Sequence, residues 1–386
     1  MRIAHLADLH LGYRAYHRAT PRGVNVREAD VADAFRHAVA QVADLRPDVV
    51  LVAGDVFHTV RPSNTAIAEA FRQFCVLTER LPGVPVVMIA GNHDSPRSAD
   101  TGNILALFRE IDGVHVIYED CRPVKLPKLA ASVLCIPHCT LAVEHETRMD
   151  PDPAAKHNLL MLHGTVRGAE ADEKLRITTE FGGAEVENTA IGPERWDYVA
   201  LGHYHVATDL APNMWYPGGL ERTSANIWFE KGPKGFLLYD TEARAADFHP
   251  VPTREIVDLP KVEAAGLSPA EVDEAIGARV ESIEDGVRGK MVRLVVYDVP
   301  RSVVRELNHK RIREWKAEAL HFHLDARPPE VRRRVGSGAP VRRQTLREQV
   351  EGYLRHHWKP TVKEIDRERL VTLGVEYIDR TAEGVG

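Results

Sequence analysis

The chain has 386 residues, of which 44% are hydrophobic and 27% charged, the balance of an ordinary soluble protein of two or three domains. No run of eighteen apolar residues occurs, so no membrane span is expected. A formal net charge of −6 argues against a protein that coats nucleic acid by charge alone.

In chain order, the apolar run Ile3 to Ala7 reads as a strand ending at Asp8-Leu9-His10. It starts too close to the N-terminus to leave room for a signal peptide, which points to a cytoplasmic chain. Val31, Phe35, Val39, Val42 and Leu45 then repeat at helical spacing. The strand Val49 to Ala53 runs into Gly54-Asp55, and Ser63 is placed to cap a helix carrying Ile67, Phe71, Phe74, Leu77 and Leu81. Val84 to Ala90 precedes Gly91-Asn92-His93-Asp94, Val133 to Ile136 reads as a buried strand, and Leu159 to Leu162 precedes His163-Gly164. Tyr198 to Leu201 precedes Gly202-His203-Tyr204-His205. The four cysteines, Cys75, Cys121, Cys135 and Cys139, lack the paired spacing of a zinc ribbon, and the Pro-interrupted Cys135, His138 and Cys139 do not favour a zinc site, so reduced thiols are expected.

From about residue 255 the composition changes to a small mixed segment, with a helix from Ala270 to Ile283, a strand from Met291 to Tyr297 and helix again from Val303 to Leu320. Seven arginines (Arg327, Arg332, Arg333, Arg334, Arg342, Arg343, Arg347) surround Gly336-Ser337-Gly338 and read as a basic linker. Two short amphipathic helices follow, one carrying Leu346, Val350, Tyr353 and Leu354, the other Leu370, Leu373, Tyr377 and Ile378, with Pro360 between them. So small a pair cannot bury both apolar faces by itself, which suggests another protein surface as its partner.

Five clusters therefore supply seven candidate metal ligands, Asp8, His10, Asp55, Asn92, His163, His203 and His205, and each cluster follows a predicted strand. An isolated Asp-x-His or Gly-Asp is usually only a capped turn, but their joint order at strand ends is the context a metal site requires. Carboxylate and amide oxygens mixed with imidazoles suit first-row divalent ions, and seven ligands are too many for one tetrahedral ion. Two ions sharing a carboxylate use them fully, and such a pair clamps the attacking and leaving oxygens of a phosphoryl displacement. Gly54, Gly91 and Gly202 are expected to supply sharp turns or close backbone approach. His93, directly after Asn92, is the better candidate for acid chemistry than for ligation.

The five clusters match the pattern D-x-H, G-D, G-N-H-[DE], H and G-H-x-H of the calcineurin-like metallophosphoesterases. Within that superfamily the chain resembles the SbcD-type nucleases, bacterial counterparts of the nuclease subunit of the MRN repair complex. The resemblance is carried by Ile3-Ala4-His5-Leu6-Ala7-Asp8-Leu9-His10-Leu11-Gly12, by Gly54-Asp55-Val56-Phe57-His58, and by Tyr216-Pro217-Gly218-Gly219-Leu220-Glu221-Arg222-Thr223 with Lys234-Gly235-Phe236. Gly219 stands where that family has serine.

The resemblance implies an α/β fold, a metallophosphoesterase β-sandwich flanked by helices, with a small α+β capping domain and a C-terminal helix-loop-helix. The implied division is a nuclease domain over 1–254, a capping domain over 255–326 that shapes DNA access, a basic linker over 327–345, and an ATPase-binding helix-loop-helix over 346–386. It further implies that Asp8, His10, Asp55 and His205 hold one metal and Asp55, Asn92, His163 and His203 the other. Manganese would be favoured, with iron or zinc as alternatives. His93 would protonate the leaving oxygen and His58 would line the cleft near DNA, while Arg332, Arg333 and Arg334 are further candidates for DNA contact. The implied partners are DNA, a coiled-coil ABC ATPase of the SbcC type, and a second copy of the chain through the helical surface around the third motif. The expected function is a nucleoid-associated, two-metal DNA nuclease subunit in double-strand-break repair, an exonuclease on duplex ends and an endonuclease on single strands and hairpins. The alternatives are a stand-alone phosphodiesterase acting on small esters, which would have little need for a cap or a helix pair, and a noncatalytic scaffold, which would tolerate loss of ligands.

Overall fold

The computed structural model describes residues 1–96, 102–143, 148–168, 184–329, 346–356, 358, 366 and 368–374. The chain divides into two units, Met1–Pro329 and Glu330–Gly386. The first begins with β1 (Arg2–Leu6), α1 (Val26–Leu45), β2 (Val49–Ala53), α2 (Asn64–Arg80), β3 (Val86–Ile89) and β4 (Val114–Ile117). Next come β5 (Arg122–Leu126), β6 (Ala131–Ile136), β7 (His157–His163), β8 (Thr165–Arg167), β9 (Glu185–Glu187) and β10 (Tyr198–Gly202). β11 (Thr208–Ala211), β12 (Met214–Tyr216), β13 (Gly235–Asp240) and β14 (Ala245–Pro250) complete the two main sheets.

Those sheets have six strands each, ordered β14-β13-β1-β2-β3-β4 and β11-β12-β10-β7-β6-β5. Period-two alternation explains their sequence. Ile3, Val49, Leu51 and Ala53 face Leu159, Met161, Tyr198 and Ala200 of the other sheet. Ala4, Val50 and Val52 turn outward, where α1 and α2 cover them with Val31, Phe35, Val39 and Phe74. Both faces are buried, so the strands read as continuous apolar runs rather than alternating ones. The second helix starts at the expected cap, Ser63 accepting from Ala66 N, and Asn25 caps the first by accepting from Arg27 and Glu28 N–H groups.

The parallel strands β1, β2 and β3 of one sheet and β7 and β10 of the other end on the side where the five motif clusters lie. That carboxyl edge is where α/β sheets build sites.

Residues beyond 254 form β15 (Ile256–Asp258), β16 (Val262–Glu263), α3 (Pro269–Glu281), β17 (Met291–Tyr297), α4 (Arg301–Glu306), α5 (His309–Glu318) and β18 (His321–Ala326). β17 pairs in parallel with β15, β16 and β18 around a core that includes Val272, Ile276, Leu294 and Phe322. The continuous helix expected from Val303 to Leu320 is instead two, because the Asn308 side chain caps Arg311 N while the Asp273 carboxylate accepts Asn308 N at 2.9 and 3.0 Å. This segment is tied to the strand-rich part by Arg18, which donates to the carbonyls of Lys316 and Ala317 at 2.8 and 2.7 Å, and by Tyr16, stacked on His321 at 4.1 Å. Arg327 N still pairs with Val296 O at 2.8 Å. Arg332, Arg333 and Arg334 lie outside the described residues, as do Pro360, Tyr377 and Ile378.

In the second unit, α6 (Leu346–His356) and a helix at 368–374 are joined by the Arg355–Glu368 pair at 3.3 Å. Val371 is buried while Tyr353 and Leu373 remain exposed. Among the described residues no helix is long and apolar enough to cross a membrane.

The inter-sheet core holds one histidine, His5, fully buried with Nδ1 2.8 Å from the Tyr198 hydroxyl. Burial lowers its pKa from 6.5 to about 3. The unfolded chain therefore takes up a proton below pH 6.5 that the folded chain refuses, so the stability this ring contributes is complete above 6.5 and is lost as pH falls toward 3. We expect His5 to account for roughly 2 kcal/mol of lost stability between pH 6.5 and 4.5, and His5→Gln to lose correspondingly less. Urea unfolding of cation-free protein at both pH values checks this, and equal pH dependence in the two proteins would assign the effect elsewhere.

Candidate metal centre

The loops after β1 and β2 zip together through backbone bonds, Asp8 N to Gly54 O at 3.0 Å, His10 N to Asp55 O at 2.9 Å and Leu11 N to Val56 O at 2.9 Å. Within them Asp8, His10 and Asp55 take φ values of 52°, 46° and 51°, and His203 takes 113° in the loop after β10. Left-handed backbone at a non-glycine residue costs on the order of 1–3 kcal/mol, so the surrounding pairing must enforce it. The result is that residues next to one another in sequence aim their side chains at one point. Gly54 shares the left-handed turn at φ 89°. A Cβ on Gly91 would overlap the Asp55 carboxylate, and one on Gly202 would overlap Ala53 O, so those two glycines serve close approach rather than positive φ.

All seven candidate ligands meet at this point. His10 Nε2 and His205 Nε2 are 3.0 Å apart, and Asp8, His10 and His205 form one group of facing donor atoms. On the other side, Asn92 Oδ1 lies 3.0 Å from His163 Nε2 and 3.2 Å from His203 Nδ1. Asp55 stands between the two groups, its Oδ2 3.8 Å from His10 Nε2 and 3.3 Å from His163 Nε2. His163 donates from Nδ1 to Ala53 O at 2.8 Å, which leaves Nε2 facing the site. Asp8 accepts His203 N at 3.1 Å, tying the two sheets together.

The charges are strongly coupled. Burial pushes the Asp8 carboxyl up, whereas the His163 and His10 imidazoles overcome burial to hold Asp55 well below the usual range. Burial alone would lower His163, but the Asp55 carboxylate holds it at about 9. Burial and neighbouring imidazoles push His10 well down and His203 to about 3. Two buried carboxylates and two imidazoles held unprotonated, His10 and His203, make a site that calls for positive charge.

His93 and His58 sit at the rim. His93 N donates to Asp55 Oδ1 at 2.9 Å, and its Nδ1 donates to the His58 carbonyl at 2.7 Å. His58 Nδ1 is 3.3 Å from His10 Nδ1, and the His58 and His93 rings stack at 5.2 Å. The cysteine alternative finds no support among the described residues: Cys135 Sγ is buried against Val133 O while Cys139 Sγ contacts Tyr118 O.

Sequence reasoning assigned no role to two residues that the fold brings to the centre. Asp94 closes the third motif, and its carboxylate accepts Val56 N at 3.0 Å, Phe57 N at 2.9 Å and Gly91 N at 3.1 Å, binding the second and third loops together. Its place in Gly91-Asn92-His93-Asp94 was the available signal. Glu230, buried beside His205, belongs to no motif and left no such signal.

The donor set fits divalent cations: oxygen and imidazole ligands in facing groups, with Asp8 belonging both to the group with His10 and His205 and to that with Asp55 and His163, and two imidazole nitrogens 3.0 Å apart that need a cation or a proton between them. Residues 1–207 match the family model described as calcineurin-like phosphoesterase. The chain belongs to this family. Divalent metals serve its members, and among the described residues Asp8, His10, Asp55, His163 and His205 form groups that could hold them.

Among curated relatives, the chain is 27% identical over 323 residues to the DNA double-strand break repair protein Mre11 of Methanopyrus kandleri, covering 77% of this chain and 65% of that one. It is 28% identical to the Mre11 of Methanocaldococcus jannaschii, covering 64% of each. The Mre11 of Sulfolobus acidocaldarius matches at 22% identity over 96% of this chain and 86% of its own. The chain thus spans just under two thirds of the length of the first two.

Because Asp94 alone satisfies three buried backbone N–H groups, Asp94→Ala is expected to destabilise a member of this phosphoesterase family by roughly 2–4 kcal/mol. Denaturant unfolding checks it, and a change below about 0.5 kcal/mol, the level of an uninvolved surface site, would show that the loops hold without it.

Proposed function

We propose that this chain is the nuclease subunit of a DNA double-strand-break repair complex, a two-cation phosphodiesterase that degrades duplex ends and cuts single strands and hairpins. The observation that carries the reading is the convergence of Asp8, His10, Asp55, Asn92, His163, His203 and His205 around two foci. The Mre11 relatives supply the substrate class.

In this reading Asp8, His10, Asp55 and His205 hold one cation and Asp55, Asn92, His163 and His203 the other, with manganese favoured over iron or zinc. When bound, the cations supply charge neutralisation at the phosphate and activation of water. The protein's own groups do the rest. His93 keeps one proton at Nδ1 through the His58 carbonyl, so Nε2 is the atom that delivers a proton to the leaving oxygen. His58 would line the cleft beside His10 and approach the DNA backbone.

The remaining segments take the roles the family resemblance implies. Residues 1–254 form the nuclease domain and 255–326 the cap that shapes DNA access. The 327–345 stretch is a basic linker, with Arg332, Arg333 and Arg334 as phosphate contacts. Residues 346–386 dock on a coiled-coil ABC ATPase of the SbcC type, for which the exposed Tyr353 and Leu373 offer apolar contact. Ile67, Phe71 and Leu107 line an open apolar groove beside α2, which supports a homodimer through that face. Such a chain works on DNA at the nucleoid.

Hydrolysis of end-labelled duplex and single-stranded DNA, beside a chromogenic phosphodiester and with manganese present, tests the reading. Asn92→Ala should lose a cation and all activity, whereas His93→Ala should keep both cations by elemental analysis and lose turnover by about 10²–10⁴-fold. Turnover of the small ester alone, with DNA untouched even beside the partner ATPase, would replace the nuclease with a small-substrate phosphodiesterase. Deleting residues 342–386 is expected to abolish co-purification with the ATPase, and an undiminished complex would refute the docking role.

A further inference from the structure

Behind His205, on the side away from the cation foci, lies a group of buried charges to which the sequence assigned no role. Glu221, Glu230 and Lys234 are 1%, 1% and 2% exposed, and all three come from the segment joining β12 to β13. Glu230 is held from several directions. Its Oε1 accepts Thr223 N at 3.1 Å and Ser224 N at 2.8 Å, and its Oε2 pairs with the Lys234 ammonium. Lys234 Nζ also donates to the His205 carbonyl at 2.6 Å. Arg222 fixes the backbone of the same segment, donating to Glu230 O at 3.2 Å and Gly232 O at 2.8 Å.

This assembly addresses one atom of the centre. His205 Nδ1 is buried with no hydrogen-bond partner, and the acceptor facing it is Glu230 Oε1 at 3.7 Å. The opposite ring nitrogen, Nε2, lies in the group formed with Asp8 and His10. A histidine ligates through Nε2 only when that nitrogen is bare, which places its proton on Nδ1, and the tautomer is set by whatever accepts that proton. The same residue that carries the acceptor is bound to the ligand's main chain through Lys234, so ring and backbone are referenced to one rigid support.

We propose that Glu230, locked by Lys234, is the positioning residue that holds His205 in the Nδ1–H tautomer and aims its Nε2 at the cation shared with Asp8, His10 and Asp55. The inference rests on the two-cation reading of the site and concerns how one ligand is oriented, not the substrate. It also gives Lys234 and the Glu221-Arg222-Thr223 segment a place in the chemistry. A merely structural Glu230 would close the 221–234 segment without affecting cation binding.

The test uses the full-length protein and manganese binding by calorimetry, with elemental analysis for stoichiometry and near-ultraviolet circular dichroism for folding. Glu230→Gln keeps an oxygen for the Thr223 and Ser224 N–H groups but weakens the acceptor for His205. Together with Lys234→Met it is expected to leave the fold intact and weaken one of the two manganese ions by about 10–100-fold, the other changing less than threefold. Nitrogen chemical shifts of the wild-type histidines in the zinc-loaded protein should show His205 protonated at Nδ1 with Nε2 bare, a result that needs no variant to fold. Wild-type affinity for both ions in the folded variants, or a His205 proton on Nε2, would overturn the inference while leaving the cation site standing. A wild-type protein that binds neither manganese, iron nor zinc would overturn the two-cation reading and this inference with it.

Discussion

Two carboxylates, Asp8 and Asp55, are almost wholly withdrawn from water at the place where the two sheets meet, and much of the molecule follows from that burial. A buried carboxylate without a counter-charge costs several kcal/mol. Here the compensation comes from imidazoles, whose protonation the carboxylates control, and the fit of the donor set to divalent cations follows from the same imbalance. The left-handed backbone at Asp8, His10 and Asp55 is part of this arrangement. Side chains eight to ten and fifty-five residues into the chain reach the same point only because their loops are zipped to one another by three backbone bonds.

The sandwich makes the centre rigid through opposite contributions. One sheet provides Asp8, His10, Asp55 and Asn92 from the loops after β1, β2 and β3, while the other provides His163, His203 and His205 at the ends of β7 and β10. His163 Nδ1 on Ala53 O, and His203 N on the Asp8 carboxylate, cross from sheet to sheet inside the site. The glycines at 91 and 202 allow the approach, since any side chain there would occupy the volume of Asp55 or of the Ala53 carbonyl. Ligand geometry and inter-sheet packing are thus one constraint, which is why the core beneath the site is filled by small and β-branched residues such as Ala53, Val87 and Ala200.

Much of this was legible in the sequence because the signals were local. An apolar run followed by a turn and a ligand recurs five times, and the expected cap Ser63 acts within three residues of its partner Ala66. What was not legible depended on distance along the chain. Glu230 meets His205 from twenty-five residues away through a segment with no regular spacing, and Asp94 binds loops thirty-eight residues apart. The break at Leu307 was hidden for a related reason. Apolar periodicity continues across it, and the Asp273 carboxylate that accepts Asn308 N comes from a different helix. The edge strand β14, which pairs with β13 to complete the first sheet, also had no motif to mark it, whereas Lys234-Gly235-Phe236 marked the start of β13.

The position of the 255–326 segment follows from the ligand loop itself. His10 and Arg18 are eight residues apart, and Arg18 caps the exposed carbonyls at the C-terminus of α5, where the helix dipole places partial negative charge. Tyr16, between them, stacks on His321 at the start of β18. A second anchor runs from Arg254, which pairs with Asp30 of α1 and donates to Gly289 O at 3.1 Å, while its own backbone N–H goes to the Glu221 carboxylate. Glu221 in turn faces the fully buried Arg27 at 3.3 Å. The segment that would shape access is therefore fastened at the two ends of the same apparatus, by the loop that carries His10 and by the residues adjoining the support of His205. Displacing it would require breaking the Arg18 contacts together with the partly buried Arg254–Asp30 pair, so its attachment draws on the same charged residues that flank the ligand loops.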